Sequence, residues 1–317
     1  MQLSAMLEPQ EGITYQEQLD VALRAEELGF DGFYRSDHYI SVAGRSDVGS
    51  TDAWAVLAGL ARDTSRIRLG TLVTPVTFRP AGNLAKVVAT VHELAGSGPG
   101  GESRISLGLG TGWLEAEHRQ HGFPFEDVGT RFRRLEEHLA VISALWDPEV
   151  AEVSFDGEFV RIEAGRFQPV PQPRPRIVVG GKGLKRTPAL AARFADGLNG
   201  VLTPPEHCAA QRRALDEACR EVGRDPSEVT YSLMTGCIVG ADVAEFRERA
   251  GLLHSRTASG DFDAWLAELE GAWVLGTPDR ARARLDELAA AGVEEVMLQH
   301  QLHDDLDMLE VAAAIQS

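Results

Sequence analysis

The chain has 317 residues but only three lysines and three cysteines. An odd number of cysteines without metal-type spacing predicts neither a disulfide framework nor a zinc centre. No apolar run is long enough to span a bilayer, and the first residues lack the basic region of a signal peptide. A net charge of −17 disfavours binding to nucleic acid or an anionic membrane. We therefore expect a cytoplasmic protein whose partner is a small molecule.

The few lysines are unevenly placed. Lys182 and Lys185 lie in or beside a glycine-rich segment, residues 180–183 (Gly-Gly-Lys-Gly), that leads into a predicted helix. Glycines let the backbone approach a ligand closely, and the start of a helix offers free N–H groups. The spacing matches neither a Walker loop nor a dinucleotide-binding motif. We interpret the segment as a phosphate-binding loop, the alternative being a tight turn without a ligand.

Strand and helix patterns alternate along the chain, which favours a closed parallel (β/α)8 TIM barrel. A doubly wound open sheet is the alternative. The predicted helices cover residues 15–28, 51–62, 80–94, 131–146, 184–194, 205–222, a stretch ending near 253, 262–269, 278–290 and 303–315. The eight predicted strands cover residues 3–7, 32–35, 67–73, 105–109, 177–179, 197–202, 229–239 and 293–298.

Residues 148–175 interrupt this alternation between the fourth helix and the fifth strand. Residues 153–160 predict a hairpin with an Asp-Gly turn, and alternate prolines at 169, 171, 173 and 175 predict an extended stretch. We expect an insertion that packs on the barrel, within a single domain spanning residues 1–317.

Three polar motifs directly follow predicted strands. They are Ser36-Asp37-His38, Gly110-Thr111-Gly112-Trp113 and the segment 180–183. The C-terminal ends of barrel strands are where barrel enzymes carry their active sites. A barrel would therefore gather these motifs around one pocket, and we expect an enzyme.

The first two motifs offer different chemistry. His38 can donate or accept a proton near neutral pH, although an Asp-His pair can also simply cap a turn. The Gly110 turn offers N–H groups and a hydroxyl, and Trp113 either covers an apolar ring or anchors a helix from a buried position. Glu115, Glu117 and His118 lie nearby, but we expect them to be surface groups, and no metal site is predicted.

Taken together, these segments resemble the luciferase-like monooxygenase superfamily, and within it the coenzyme F420-dependent oxidoreductases. The likeness covers nearly the whole chain in the right order. The matching stretches are residues 25–32, 36–38, 70–80, 107–118, 122–125, 131–136, 180–187, 195–199 and 276–278.

The resemblance implies a flavin or deazaflavin at the C-terminal face, with the catalytic residues Asp37 and His38 beside its ring. It also implies a non-proline cis peptide at Leu72–Val73, behind the ring. The substrate pocket would include Trp113 and Glu8. The implied cofactor-binding residues are Leu72, Val73 and Thr74 behind the ring, Gly110, Thr111 and Gly112 along the side chain, and Gly180, Gly181, Lys182 and Gly183 at the phosphate.

The function that the resemblance implies is hydride transfer between coenzyme F420 and an organic substrate. The alternatives are an FMN-dependent monooxygenase on the same fold and a non-catalytic relative that binds a cofactor. Sugar-phosphate dehydrogenases of this branch carry a glutamate where this chain has Trp113. A sugar phosphate is therefore disfavoured as the substrate. We also expect a homodimer.

Overall fold

Eight parallel strands close into a barrel in this computed structural model, which describes residues 1–315. Residues 1–315 contain eleven strands, and eight of them form the barrel. The eleven strands are β1 (Gln2–Leu7), β2 (Gly32–Arg35), β3 (Arg68–Pro75), β4 (Ile105–Gly110), β5 (Val153–Asp156), β6 (Arg161–Gly165), β7 (Arg176–Gly180), β8 (Gly197–Val201), β9 (Thr230–Val239), β10 (Val274–Gly276) and β11 (Glu295–Gln299). The barrel order is β1-β2-β3-β4-β7-β8-β9-β11, and pairing of β11 with β1 closes it. The predicted TIM barrel is confirmed and the open sheet is excluded.

Helices follow the barrel strands and cover the outside of the sheet. In α1, Thr14 and Glu17 form a reciprocal capping box at the start, and Gly29 ends the helix in the left-handed conformation. The helices are α1 (Tyr15–Leu28), α2 (Ala53–Asp63), α3 (Ala81–Ala95), α4 (Glu115–His121), α5 (Val128–Leu145), α6 (Arg186–Phe194), α7 (Pro205–Glu221), α8 (Val243–Thr257), α9 (Phe262–Leu269), α10 (Pro278–Ala290) and α11 (Asp307–Ala313).

The insertion contains the predicted hairpin, but its turn differs from the prediction. Asp156 of β5 pairs with Arg161 of β6, so residues 157–160 form a four-residue loop instead of a two-residue Asp-Gly turn. The carboxylate of Glu137 in α5 accepts hydrogen bonds from the backbone N–H groups of Glu158, Phe159 and Val160 at 2.7–2.9 Å. This contact with a distant helix sets the loop, and local turn chemistry does not reveal it.

The end of β3 is irregular in the way the resemblance implied. Its pairing with β4 shifts between Thr71 and Thr74, and the Leu72–Val73 peptide is cis. The strand continues to Pro75, two residues beyond the prediction. The irregular backbone lies at the C-terminal end of the barrel.

The main apolar core lies between the sheet and the helices, and a smaller cluster fills the barrel interior. At the N-terminal end, the buried carboxylate of Glu295 bonds Ser4, Arg68 and Arg176, which tie four strands together. The interior cluster above it supports the floor of the opposite end. Its members are Met6, Tyr34, Leu72, Val178, Met234 and Met297. Among residues 1–315, no helix is both long and apolar enough to cross a membrane.

Candidate active site

A cavity of about 830 Å³ opens at the C-terminal end of the barrel. Active sites of barrel enzymes lie at this end, and the volume is in the range of small-molecule and cofactor sites. Asp37, Thr74 and Gly183 are not part of its lining. The predicted site residues that do line it are Glu8, His38, Leu72, Val73, Gly110, Thr111, Gly112, Trp113, Gly180, Gly181 and Lys182.

His38 lies on the cavity wall and is held by a buried glutamate. Its Nδ1 donates to the carboxylate of Glu117, at 3.0 and 3.1 Å from the two oxygens. Burial lowers the pKa of His38, but the hydrogen bond and charge of Glu117 outweigh burial, and the pKa is raised above its ordinary value. The ring also meets Trp113 edge to face, with centroids 5.7 Å apart. Glu117 therefore stabilises the charged form of the imidazole and fixes its orientation.

The prediction that Glu117 and His118 are surface groups is wrong. Both are fully buried in α4, a short helix that the pattern analysis did not define. The Nε2 atom of His118 lies 2.7 Å from the hydroxyl of Thr77, and Tyr39 donates its backbone N–H to Glu117. Seven residues are too few to show a helical period. The only sequence feature that could have indicated a buried Glu117 is its position shortly after the Gly110 turn.

Asp37 does not reach the cavity, in contrast to the catalytic position expected for it. Its carboxylate accepts hydrogen bonds from Arg79 at 2.6 Å and from the Thr74 hydroxyl at 2.8 Å. The Thr74 hydroxyl in turn accepts from the indole of Trp54. The side chain of Asp37 is 1% exposed. Asp37 and Thr74 therefore hold the end of β2 against β3, which positions the neighbouring His38.

Trp113 is 61% exposed at the cavity, so it is not a buried helix anchor. It follows the Gly110 turn, where Gly112 has a positive φ of +74°. A large exposed aromatic ring beside a cavity is unusual for surface packing alone and provides an apolar face for a ligand.

Val73 explains why the strands beside it end in glycine. A Cβ atom added to Gly110 or to Gly180 would lie 2.6 Å from a methyl group of Val73. The valine side chain therefore occupies space that only glycines on β4 and β7 leave open. These glycines allow the Val73 side chain, at the irregular end of β3, to pack against the ends of β4 and β7 and form part of the cavity wall.

The segment 180–183 is fixed by bonds to its carbonyl groups. Gln211 of α7 donates to the carbonyls of Gly181 and Gly183 at 2.7 and 3.1 Å, and His207 lies 3.0 Å from that of Lys182. In a trans peptide the N–H points away from the C=O. The following N–H groups therefore point away from α7. The loop precedes α6, and Lys182 is exposed beside it.

Three buried polar atoms on the cavity wall have no hydrogen-bond partner among the described residues. They are Oδ1 of Asn199, Oε1 of Gln299 and Nε2 of His300. Unpaired buried polar atoms are uncommon and carry a free-energy cost. Their residues line the cavity, but the three atoms themselves are closed off from it. Sequence reasoning missed all three because no motif marks them.

A family model described as luciferase-like monooxygenase matches residues 1–295, and the chain belongs to this family. Members of the family are oxidoreductases and monooxygenases.

Individual relatives carry different names and cofactors. The chain is 28% identical to the pyrimidine monooxygenase RutA of Stutzerimonas stutzeri (strain A1501), over 97% of this chain and 83% of that protein. Its fold is similar to an F420-dependent secondary alcohol dehydrogenase in complex with an F420–acetone adduct (TM-score 0.81, 20% identity, 100% and 99% coverage). It is also similar to the oxygenating constituent of 3,6-diketocamphane monooxygenase from Pseudomonas putida in complex with FMN (TM-score 0.76, 16% identity, 99% and 97% coverage).

Proposed function

We propose that this protein is a coenzyme F420-dependent oxidoreductase that transfers a hydride between the deazaflavin and an uncharged organic substrate. The observation that carries the proposal is the His38–Glu117 pair on the wall of the C-terminal cavity. Hydride transfer to a carbonyl or an activated double bond needs a proton at the neighbouring atom. A histidine with a raised pKa is suited to supply it.

The residues present fit a flavin or deazaflavin. Val73 projects between Gly110 and Gly180 and offers an apolar surface for one face of a ring. The backbone N–H groups of Lys182 and Gly183 and the ammonium of Lys182 suit a phosphate, whereas the N–H of Gly181 already donates to the carbonyl of Asn199. The cofactor, when bound, supplies the hydride chemistry. The barrel positions the two reactants and limits the access of water.

His38 has the proton-handling role in this proposal. Glu117 accepts a hydrogen bond from Nδ1 and leaves Nε2 as the nitrogen available to exchange a proton with substrate. Because Glu117 is fully buried, its charge acts on the imidazole with little screening by water. Asp37 and Arg79 keep the end of β2 in place, so the imidazole stays on the cavity wall.

FMN-dependent oxygenation is the second candidate, and the names of relatives favour it. RutA is named a pyrimidine monooxygenase, and the 3,6-diketocamphane enzyme is in complex with FMN. The alcohol dehydrogenase with an F420 adduct favours our first proposal, as does the exposed Lys182 beside the loop, which suits a cofactor with additional anionic groups.

An activity comparison under controlled oxygen separates the two. The protein is loaded with reduced F420 or reduced FMN and given ketones and lactams, or with oxidised F420 and given secondary alcohols. We expect an anaerobic change in the redox state of F420 that depends on substrate and protein. His38→Ala lowers its rate by about 10²-fold while the Kd for F420 changes little.

Substrate-dependent oxygen uptake with FMN, without turnover of F420, would replace the first proposal by the second. Tight cofactor binding with no turnover of either kind would make the chain a non-catalytic binding protein. Asp20→Ala, an exposed position on α1, serves as the control for the variant.

A further inference from the structure

The indole of Trp273 lies on the inner face of β9. Side chains alternate between the two faces of a strand. Met234 belongs to the cluster inside the barrel, so Gly236, two residues further on, also faces the interior. A Cβ atom added to Gly236 would lie 2.1, 2.3 and 2.4 Å from Cδ2, Cε2 and Cε3 of Trp273. Because these distances are nearly equal, the glycine meets a face of the indole, and the opposite face is directed toward the barrel axis.

The backbone on both sides of Trp273 is tied to β9. The hydroxyl of the buried Thr235 donates to the carbonyl of Ala272 at 2.7 Å. Val274 pairs with Cys237 in the sheet. The residues before and after Trp273 are therefore fixed to the same strand on which its ring rests, and the indole forms a fixed part of the cavity wall.

Trp273 faces Val73 across the barrel. Four strand-to-strand steps separate β3 from β9 in either direction round the barrel, so the two strands lie on opposite sides. Val73, at the end of β3, is the surface on which we place one face of the cofactor ring. The cavity of about 830 Å³ is near the upper end of the range for small-molecule sites. A cofactor ring on Val73 and the indole of Trp273 would be the two flat walls of one gap.

The wall beside the indole is apolar. Val201 pairs in register with Met234, and both line the cavity. Leu202 lines it as well, although consecutive residues of a regular strand point to opposite faces. Its φ of +45° is a conformation that bulky side chains rarely adopt, and it breaks the alternation at the end of β8. Arg256 of α8 also lines the cavity, but two bonds to Asp304 at 2.8 and 2.7 Å engage its guanidinium.

We propose that Trp273 contacts the substrate and selects for flat, uncharged ring compounds, such as aromatic ketones and the corresponding alcohols. The substrate ring lies between the indole and the cofactor ring, and the apolar wall beside it excludes charged groups. Aromatic rings in contact gain free energy beyond the burial of their area, which favours a flat ring over a puckered one. This inference rests on the proposed function, because the second wall of the gap is the bound cofactor.

Two ketones with the same carbon skeleton test the inference by calorimetry on the intact protein, alone and loaded with oxidised F420. They are acetophenone, whose ring is flat, and 1-cyclohexylethanone, whose saturated ring is puckered and offers at least as much apolar surface. We expect acetophenone to bind about fivefold more tightly in the loaded protein, with a smaller preference in the protein alone. Equal affinities in the loaded protein, or tighter binding of the saturated ketone, would overturn the inference.

Trp273→Leu is the matched variant, with Trp265→Leu on α9, outside the cavity lining, as its control. Trp273→Leu should remove the preference for acetophenone in the protein alone and reduce it in the loaded protein. Trp273→Phe should keep most of it, because the flat wall remains. A preference that is unchanged in Trp273→Leu contradicts the inference. The comparison of the two ketones on the unmutated protein holds whether or not the variants fold.

Gly236→Ala tests the position of the indole. The added methyl group must push the ring toward the barrel axis and narrow the gap, so we expect both ketones to bind about tenfold more weakly. Gly271→Ala is the control, because a Cβ atom there meets no atom within 4 Å, and both Kd values should stay the same. Unchanged binding of both ketones to a folded Gly236→Ala protein would contradict the placement of Trp273.

The outcomes also separate this inference from the proposed function. A preference for acetophenone that Trp273→Leu removes, in a protein that fails to bind F420, supports the substrate contact and rejects the cofactor. Turnover of F420 in a protein whose preference is the same with and without the indole does the reverse.

Discussion

His38 has a raised pKa because a buried carboxylate faces it from another element. Glu117 lies 79 positions further along the chain, and the two side chains meet only when α4 packs over the ends of β2 and β4. The carboxylate of the adjacent Asp37 is paired with Arg79 at 2.6 Å. At this site the partner of the reactive group is therefore determined by packing and not by proximity in sequence.

Glu117→Gln tests this pairing without any substrate. The variant removes the negative charge that raises the pKa of His38 and leaves burial, which lowers it, unopposed. We expect the His38 titration, followed by NMR of the ring nitrogens, to move to lower pH. Since a proton donor is lost as pH rises through its pKa, turnover that needs protonated His38 should also decline at lower pH in the variant.

Glu115→Gln is the control, because Glu115 is exposed on the same helix and carries the same charge. Identical His38 titrations in the unmutated protein and Glu117→Gln would contradict the assignment of Glu117 as the cause.

Sequence reasoning named His38 together with the adjacent Asp37, whereas the carboxylate that bonds His38 is that of Glu117. The adjacent Asp37 was the natural choice, since a sequence shows neighbours along the chain and not across it. Gln299 and His300 were missed for a related reason. Each carries a buried atom without a hydrogen-bond partner among the described residues, and only the packed structure reveals such atoms.

At the scale of elements, the cavity depends on how the Val73 side chain at the end of β3 packs against the ends of β4 and β7. Gly110 and Gly180 leave the space that Val73 fills, with each virtual Cβ only 2.6 Å from a valine methyl group. The glycines that sequence reasoning assigned to the cofactor therefore have a packing role as well. Glycine suits both close packing against Val73 and close approach of a cofactor. The sequence motif therefore located these glycines but did not distinguish the two roles.

Gly180→Ala tests the packing role. The added methyl group must displace Val73, and we expect a loss of about 1–3 kcal/mol in the free energy of unfolding together with weaker cofactor binding. Adding Val73→Ala to the same chain removes the clash and should restore much of the loss. Chemical denaturation and cofactor titration measure the two effects.

Gly82→Ala provides the matched control within α3, where a Cβ meets no atom within 4 Å. There the same substitution should be neutral or stabilise by about 0.5–1 kcal/mol, because alanine is the better helix former. A stable Gly180→Ala protein with normal cofactor binding would contradict the packing role.

The barrel strands could be predicted because each is a short apolar run before a polar motif, and their order follows from the barrel. Two short elements were missed. β10 has three residues and extends the sheet beside the end of β9, and α4 has seven. Neither is long enough to show a period. The start of α11 was also placed too early, because Asp305 is bonded to Arg249 and caps Met308 ahead of the helix.

At the scale of the whole molecule, the cavity brings together residues from all eight barrel strands or the segments directly after them, and from α8. The acidic chain places Lys182 at the one loop where an anion is expected. The fold and family could be predicted from sequence. The choice between F420 and FMN could not, because both cofactors would make the same contacts with the ring-binding and phosphate-binding residues. Lys182 and the resemblance are the arguments for F420.

Competition between the two cofactors tests directly whether the protein prefers F420 to FMN. The protein is incubated with equal concentrations of F420 and FMN, separated from unbound cofactor by gel filtration, and the retained molecules are quantified by chromatography. We expect F420 to be retained in clear excess over FMN, and we expect this excess to be smaller in Lys182→Ala. Retention of FMN in excess over F420 would contradict it.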